Sequence, residues 1–315
     1  MKFDIKRIGD ICQKVCSGGT PTSSNPDYYD GGIPWLNTNE VNFCNIYSTN
    51  KTISEEGLNH SAAKYIPVNS IIVAMYGVTA GKCAVAKIPL TTNQACCNLV
   101  IDEEKAHYQY VYHFLKLQSD NLNKLANGGA QQNLNSIIIK KFKIALPSLN
   151  IQQRIASILS AYDNLIENNN KRIRLLEQMA ENLYKEWFVR FRFPGHEKAE
   201  FENGLPKGWS LKNLFDVADV SYGYAFKSDL FCNDKNLNAV VRIRDIQDNH
   251  TDTYTSEICD DKYLIEENAI LVGMDGLFHM CLWNGEKAYL NQRVVKICSK
   301  KKDMCNYMIF MAIRP

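Results

Sequence analysis

The stretch from Pro147 to Arg192, PSLNIQQRIASILSAYDNLIENNNKRIRLLEQMAENLYKEWFVRFR, constrains this chain more than any other. After Pro147 it holds no proline and no glycine. Apolar residues recur at spacings of three and four: Ile151, Ile155, Ile158, Tyr162, Leu165, Ile173, Leu176, Leu183 and Trp187. That period predicts one amphipathic helix with a narrow, coiled-coil-like seam. Ser148 or Asn150 is placed to cap its first turn, and Pro194-Gly195 stops it. At 1.5 Å per residue, roughly 40 residues make a rod of about 60 Å. One apolar stripe on such a rod cannot bury itself, so the rod needs a partner. Asn168, Asn169 and Asn170 interrupt the seam. Either one of them is a buried, register-setting polar residue or all three are a solvated patch, and the spacing leaves both readings open.

The 147 residues before the helix read as a mixed α/β module. Ile5–Ile11 is a short amphipathic element, and the turn-rich SGGTPTSSNPDYYDGGIPW that follows leaves little room for regular structure. Extended character resumes over Ile33–Val41. SIIVAMY at Ser70–Tyr76 is a buried strand with GVTAGK (Gly77–Lys82) as its turn, and Lys82–Ile88 and Ala95–Ile101 are further strands. His107–Leu125 has helical spacing, ANGGAQQNLN (Ala126–Asn135) is a loop, and Ile137–Leu146 closes the module as a strand. Residues 193–208 form a linker rich in charge, Gly and Pro.

From Trp209 the module begins again. Phe3-Asp4-Ile5-Lys6 matches Trp209-Ser210-Leu211-Lys212, and Lys64-Tyr65 matches Lys262-Tyr263. Ile71-Ile72 through Met75-Tyr76-Gly77 matches Ile270-Leu271 through Met274-Asp275-Gly276, and Asn93-Gln94 matches Asn291-Gln292. Ordered matches at a nearly constant offset define an internal repeat. Tyr110–Leu115 pairs with Asn306–Met311, and the counterpart of Gln118–Arg192, including a second long helix, is not among the 315 residues. The expected architecture is α+β: one module over 1–147, the helix over 148–192, the linker over 193–208 and a second, incomplete module over 209–315.

Composition narrows the function classes. The first residues carry Asp4, Lys6, Arg7 and Asp10 without an apolar run, so no signal peptide is read, and no apolar run is long enough to span a bilayer. The expected location is the cytoplasm, with the eleven cysteines, none in a C-x-x-C pair, as reduced, half-buried small hydrophobes. The net charge of +2 does not announce nucleic acid. Residues 1–147 carry +3, 148–192 carry +2 and 193–315 carry −3, so a DNA footprint has to be a local patch. Lys140, Lys141 and Lys143 form one candidate cluster, and Arg242, Arg244, Arg293, Lys296 and Lys300–Lys302 another; taken alone, each reads first as a solvated surface.

Catalytic signatures are wanting. GVTAGK is too short for a phosphate-binding loop and is followed by Cys83. Asn25-Pro26-Asp27-Tyr28 only approximates an amino-methyltransferase motif and has no glycine-rich cofactor fingerprint beside it. Glu103-Glu104-Lys105 has the flavour of a metal-dependent nuclease, with nothing in the sequence to place a further carboxylate beside it. The six histidines are scattered, and no metal site is expected.

Two copies of one module on a rigid rod, without an active site, suit a two-site target such as duplex DNA. The chain resembles the specificity (S) subunits of type I restriction–modification systems. The resemblance rests on TPTSSNPDYYDGGIPWLNTNEV, GGAQQNLN, IALPSLNIQQRIASILSAYDNLIENNNKRIRLLEQMAENLYKEWF and GLPKGWSLKNLFDVADVSYGYAFKS, spread through the first 230 residues. It implies two target recognition domains, each reading half of a bipartite DNA sequence, and a spacer helix that sets half-site separation and docks methyltransferase (M) subunits. ATP-dependent restriction (R) subunits join that assembly. S-adenosylmethionine, ATP and Mg²⁺ would bind the partner subunits, and this chain would be non-catalytic. The missing second spacer helix leaves the seam at Ile158, Tyr162, Ile173, Leu176 and Leu183 for a partner or for a second copy of the chain.

Recognition of that kind needs cations on phosphates and amide or Arg forks on base edges. The loops offer Thr38, Asn39, Thr79, Lys82, Gln131, Gln132 and Asn133 in the first module. Arg242 and Arg244, in the second, would share one face of a predicted strand. Asn93-Gln94 and Asn291-Gln292, being repeated, suit a structural turn better than readout. Two other readings stand beside this one: a coiled-coil protein-interaction adaptor with no DNA role, and a nuclease using Glu103, Glu104 and Lys105.

Overall fold

The computed structural model describes residues 3–125, 134–301 and 304–314, and the chain divides into two compact units, residues 1–171 and 172–315. In chain order the first unit holds β1 (Asp4–Arg7), β2 (Cys12–Ser17), β3 (Tyr29–Leu36), β4 (Asn45–Ile46), β5 (Lys51–Ile53), helix α1 (Glu55–Asn59), β6 (Ile71–Ala74), β7 (Cys83–Ala86), β8 (Thr91–Thr92) and β9 (Cys96–Ile101). Helices α2 (Tyr108–Leu117), α3 (Ser119–Lys124) and α4 (Ser136–Lys141), strand β10 (Lys143–Leu146) and the start of α5 (Leu149–Tyr184) complete it.

Its main sheet has the order β2-β9-β6-β7-β4, a second sheet runs β5-β3-β8, and β1 pairs with β10. The Ile71–Ala74 run within SIIVAMY is apolar throughout because β6 is central and covered on both faces. Ile71 and Val73 enter the core beneath α2, with Leu99, Val111 and Leu115, whereas Ile72 and Ala74 face the core built on Leu36, Ile66 and Leu90.

Several local expectations change. Ile137–Leu146 is not one strand: the Asn135 side chain accepts the Ile138 N–H at 2.9 Å and starts α4, and only Lys143–Leu146 is extended. The turn-rich stretch after Ser17 does contain regular structure, since β3 begins at Tyr29 and takes up Gly31-Gly32 as a bulge against Ile53. Extended structure ends at Leu36, and Thr38–Glu40 is a 3₁₀ turn. Asn150 lies inside α5, leaving Ser148 next to its start.

In the second unit α5 ends in a π turn at Lys185–Val189, short of Arg192. The linker is folded: β11 (Phe201–Glu202) and β12 (Leu205–Pro206) form a hairpin whose Asn203-Gly204 turn has φ of 52° and 80°, the left-handed pair that a two-residue hairpin requires. Trp209 packs among Phe188, Phe191 and Phe193 with ring centroids 5.4–5.8 Å away. Then come α6 (Leu214–Val217), β13 (Ala218–Tyr222), β14 (Phe231–Cys232), β15 (Asn238–Val241), β16 (Tyr254–Thr255), β17 (Leu264–Ile265), β18 (Ile270–Gly273), β19 (Met280–Leu282), β20 (Ala288–Leu290), β21 (Val294–Ser299) and α7 (Asn306–Ile313).

The repeat is visible strand by strand. The sheet β13-β21-β18-β19 reproduces β2-β9-β6-β7, and the parallel pair β15/β20 reproduces β3/β8. Helix α7 packs on β19 and β21, while α2 packs on β7. One match fails locally. Asp4–Arg7 is a strand because β10 pairs with it, but Ser210–Asn213 is not, since among the described residues no strand lies beside it.

All eleven cysteines are free thiols, and Cys305 is exposed rather than half-buried. Burial pushes the thiols of Cys97 and Cys281 up to about 12, which makes them inert packing groups. No helix among the described residues is long and apolar enough to cross a membrane.

Candidate nucleic-acid interface

Three loops converge at one end of the first unit's sheets. The first is the 3₁₀ turn Thr38–Glu40 after β3. Its acid closes back on the preceding backbone: Glu40 Oε1 accepts the Asn37 N–H at 3.1 Å, and Glu40 Oε2 accepts the Asn50 N–H at 2.8 Å. The second is the turn Gly77–Thr79 after β6, tied to the first by the Thr79 hydroxyl, which donates to the Thr38 carbonyl at 2.8 Å. The third is the turn at Asn93–Ala95 before β9. The Asn93 N–H donates to Leu36 O at 2.9 Å, and the Ala95 carbonyl accepts the Met75 N–H at 2.8 Å.

The second unit builds the same end with three of these bonds. Asp245 Oδ2 accepts the Arg242 N–H at 2.8 Å and closes the 3₁₀ turn Ile243–Asp245. The Asn291 N–H donates to Val241 O at 3.1 Å, and Arg293 O accepts the Met274 N–H at 2.9 Å. Glycine stands at equivalent positions, Gly18 and Gly223, where a Cβ would run into the backbone of Thr92–Asn93 and Leu290–Asn291 respectively. Register then equates Asn37 with Arg242, Asn39 with Arg244, Glu40 with Asp245, Val78 with Leu277, Thr79 with Phe278 and Ala95 with Arg293. The scaffold bonds repeat; the side chains they display do not.

Those side chains are a mixture of polar forks and exposed apolar tips. Asn39 and Arg244 are exposed. Arg242 is half-buried, with its guanidinium 5.4 Å over the Phe231 ring and its Nε without a hydrogen-bond partner. Burial, reinforced by the like charge of Arg244, lowers its pKa from the ordinary value, with Asp245 opposing; an Arg stays charged regardless. Val78 is 97 % exposed and Leu277 75 %, and Phe278 is held out at φ 45° with its N–H and that of Leu277 both bonded to Asp275 Oδ1. Apolar side chains presented beside polar forks suit thymine methyls, base faces and groove walls.

Thr38, Asn39, Thr79 and Lys82 are therefore brought together. Thr79 is buried and its hydroxyl is spent on Thr38, while Lys82 Nζ bonds Asn42 Oδ1 at 2.8 Å and lies 5.8 Å from the Phe43 ring centroid. Arg242 and Arg244 come together as well, but not on a strand: β15 ends at Val241, because the Asp245 carboxylate draws the Arg242 N–H into a 3₁₀ turn. Gln131, Gln132 and Asn133 lie outside the described residues. Lys296 donates to the Lys262 and Leu264 carbonyls and Lys300 to that of Phe215, so both are structural. Lys105 is paired with Asp102 at 2.8 Å, and among the described residues no three His, Cys, Asp or Glu stand close enough to hold a metal. Asn37, Val78, Leu277 and Phe278 escaped the sequence reading; the GVT/GLF turn after the repeated Met75 and Met274 is the signal that pointed to them.

The long helix presents a second surface. Towards the first unit it turns a narrow face of Gln152, Ala156, Ser160, Asp163 and Glu167, not its seam. Buried Gln152 accepts the His107 N–H at 3.0 Å and donates to Pro147 O at 2.9 Å, and Asp163 pairs with Lys116 at 3.2 Å. The seam residues Ile158, Tyr162, Ile173, Leu176 and Leu183 are between 50 % and 65 % exposed, and Asn168–Asn170 are exposed too.

Comparison with known proteins agrees with this architecture. Residues 1–178 and 206–314 match the family model for the type I restriction modification DNA specificity domain. The chain is 33 % identical over 230 residues to the type I restriction enzyme MjaIX specificity subunit of Methanocaldococcus jannaschii, covering 70 % of this chain and 52 % of that one. It is 30 % identical over 203 residues to the EcoR124I/EcoR124II specificity subunit of Escherichia coli, covering 62 % and 50 %. The chain thus spans about half the length of these curated relatives. The crystal structure of a type I restriction–modification S subunit from M. genitalium superposes with a TM-score of 0.56 at 15 % identity over 99 % of this chain and 76 % of that one, which establishes a shared fold. With two matched stretches that together take in most of its residues, this chain belongs to the family of type I restriction modification DNA specificity domains.

Proposed function

We propose that this chain is the sequence-reading component of a type I restriction–modification assembly. Each unit contributes one target recognition domain, over residues 1–147 and 209–315, that binds one half of a bipartite duplex DNA site. The observation that carries this is the repeated three-loop end: three equivalent bonds in each unit hold unlike side chains at equivalent exposed positions. A scaffold kept constant under changing chemistry is what two readers of different sequences need. In this reading Asn39, Arg244 and the Val78 and Leu277–Phe278 tips face DNA, with Lys82 nearby for phosphate and Arg242 packed on Phe231.

The bare seam of α5 supports docking to other chains, since an apolar stripe of this length exposed on a helix has a partner. Methyltransferase subunits, restriction subunits or a second copy of this chain are the occupants that fit the family. S-adenosylmethionine, ATP and Mg²⁺ belong to those partners, and this chain acts without catalysis, inside the cell. An adaptor that binds only protein lacks a comparable use for the repeated loops.

The test is co-purification of the M subunit with the 315-residue chain, followed by footprinting on random DNA and affinity measured against salt. A bipartite footprint whose affinity falls steeply with salt is expected. Salt-insensitive protein binding without a footprint would favour the adaptor.

A further inference from the structure

Resting on the DNA-reading function just proposed, we infer that Asn39 and Arg244 are the matched base-reading residues of the two units, Asn39 selecting adenine and Arg244 guanine. The 3₁₀ turn has three residues and a preceding cap, and the structure spends all but one of these positions on the fold. At the cap, Asn37 Oδ1 accepts from Asn93 Nδ2 at 3.3 Å, and Arg242 is packed on Phe231. At the first turn position the Thr38 carbonyl accepts the Thr79 hydroxyl, and Ile243 packs against the second unit's core, next to Gly273. At the third, Glu40 and Asp245 close the turn. Only the second position, Asn39 in one unit and Arg244 in the other, is exposed in both.

Arg244 is also set in place before any ligand arrives. Its Nη2 donates to Thr253 Oγ1 at 3.2 Å and its Nε lies 3.4 Å from Asp245 Oδ1, although 65 % of the side chain is exposed. Asp245 is itself anchored, 7 % exposed and accepting from the Arg242 N–H at 2.8 Å. One side of the guanidinium, Nε–H and one Nη2–H, is thereby fastened, and its outer end presents an Nη1–H and the second Nη2–H as a parallel fork for two acceptors. Guanine O6 and N7 are the base-edge pair that accepts such a fork in the major groove. Holding the rotamer beforehand lowers the ordering cost of binding. Asn39 offers a donor and an acceptor side by side on an exposed side chain. That pair matches adenine N6 and N7. The two halves of the target therefore differ chemically at equivalent positions.

Selection from a randomised duplex library tests this, using the full chain alone and with the M subunit, as wild type, Arg244→Gln, Asn39→Arg and Thr253→Val. Wild type should select a guanine in one half-site and an adenine in the other. Arg244→Gln should lose the guanine preference by roughly 5- to 150-fold and leave the other half-site unchanged. Asn39→Arg should exchange adenine for guanine in its half, and Thr253→Val, which only unfastens Arg244, should weaken the guanine preference without changing its identity. Base preferences identical to wild type in both Arg244→Gln and Asn39→Arg would overturn this inference while leaving the proposed function standing. Absence of any sequence selection by wild type would remove both.

Discussion

Replacing Gly223 with alanine tests whether the loop end of the second unit is as tightly built as its bonding implies. A Cβ on Gly223 would stand 2.6 Å from Leu290 O and nearer still to the Asn291 carbonyl, where ordinary contact begins at 3.4 Å. These are backbone atoms, so no side chain can rotate away, and the Leu290–Asn291 segment has to retreat. That motion stretches the Gly223 N–H bond to Val294 O (3.2 Å) and the Tyr224 N–H bond to Leu290 O (2.8 Å). Overpacking costs about 1–3 kcal/mol, and each weakened backbone bond adds up to about 0.5–1.5 kcal/mol. A local loss of about 2 kcal/mol or more follows, which accelerates sub-global amide exchange about thirty-fold. Hydrogen exchange read on β13 and β21 reports this unit separately from the first. Gly276→Ala is the control, because no heavy atom lies within 4 Å of its Cβ; it should stay within about 0.5 kcal/mol of wild type. Exchange in Gly223→Ala indistinguishable from that in Gly276→Ala would refute the close approach. Gly18→Ala should reproduce the effect in β2 and β9 of the first unit.

Gln152→Ala should destabilise the first unit by about 2 kcal/mol or more in urea denaturation, because it strands the His107 N–H and the Pro147 carbonyl, both now bonded to one buried amide. His113, 3.4 Å from Ser160 Oγ on α5, has its pKa lowered chiefly by burial, against the attraction of Asp163. The unfolded chain therefore takes up the proton first, so stability is full above the ordinary histidine value of 6.5 and is lost as pH falls through the folded pKa. Unfolding measured between neutral and mildly acid pH should show that loss, and His113→Asn should flatten it. Leu176→Glu, at a position 63 % exposed, should leave exchange within either unit unchanged yet reduce association through α5 in sedimentation or co-purification; an unchanged assembly would show that the seam is not the docking face.

Much of this protein can be read from residue order because the decisive signals are local. The period of Ile151 to Trp187 is a property of one helix, and the run Ile71–Ala74 reads as a strand whatever lies beside it. The repeat was likewise legible, since Met75 and Met274, or Asn93 and Asn291, keep their spacing in any fold. Asn135 capping α4 and the Asn203-Gly204 hairpin turn are local signals of the same kind.

Tertiary structure decided what depends on a distant partner. Asp4–Arg7 is a strand and Ser210–Asn213 is not, because pairing rather than propensity makes a strand, and only the former has β10 beside it. Arg242 and Arg244 leave the strand because a carboxylate three residues on from Arg242 captures its N–H and is in turn held by Thr251. Lysines that look alike in sequence separate into spent and available only when the carbonyls around Lys296 and Lys300 are in place. Periodicity says that α5 has an apolar face, but not which way it turns. Here the polar residues Gln152 and Asp163 meet the first unit, because they satisfy groups that would otherwise be stranded there, and the apolar face stays exposed.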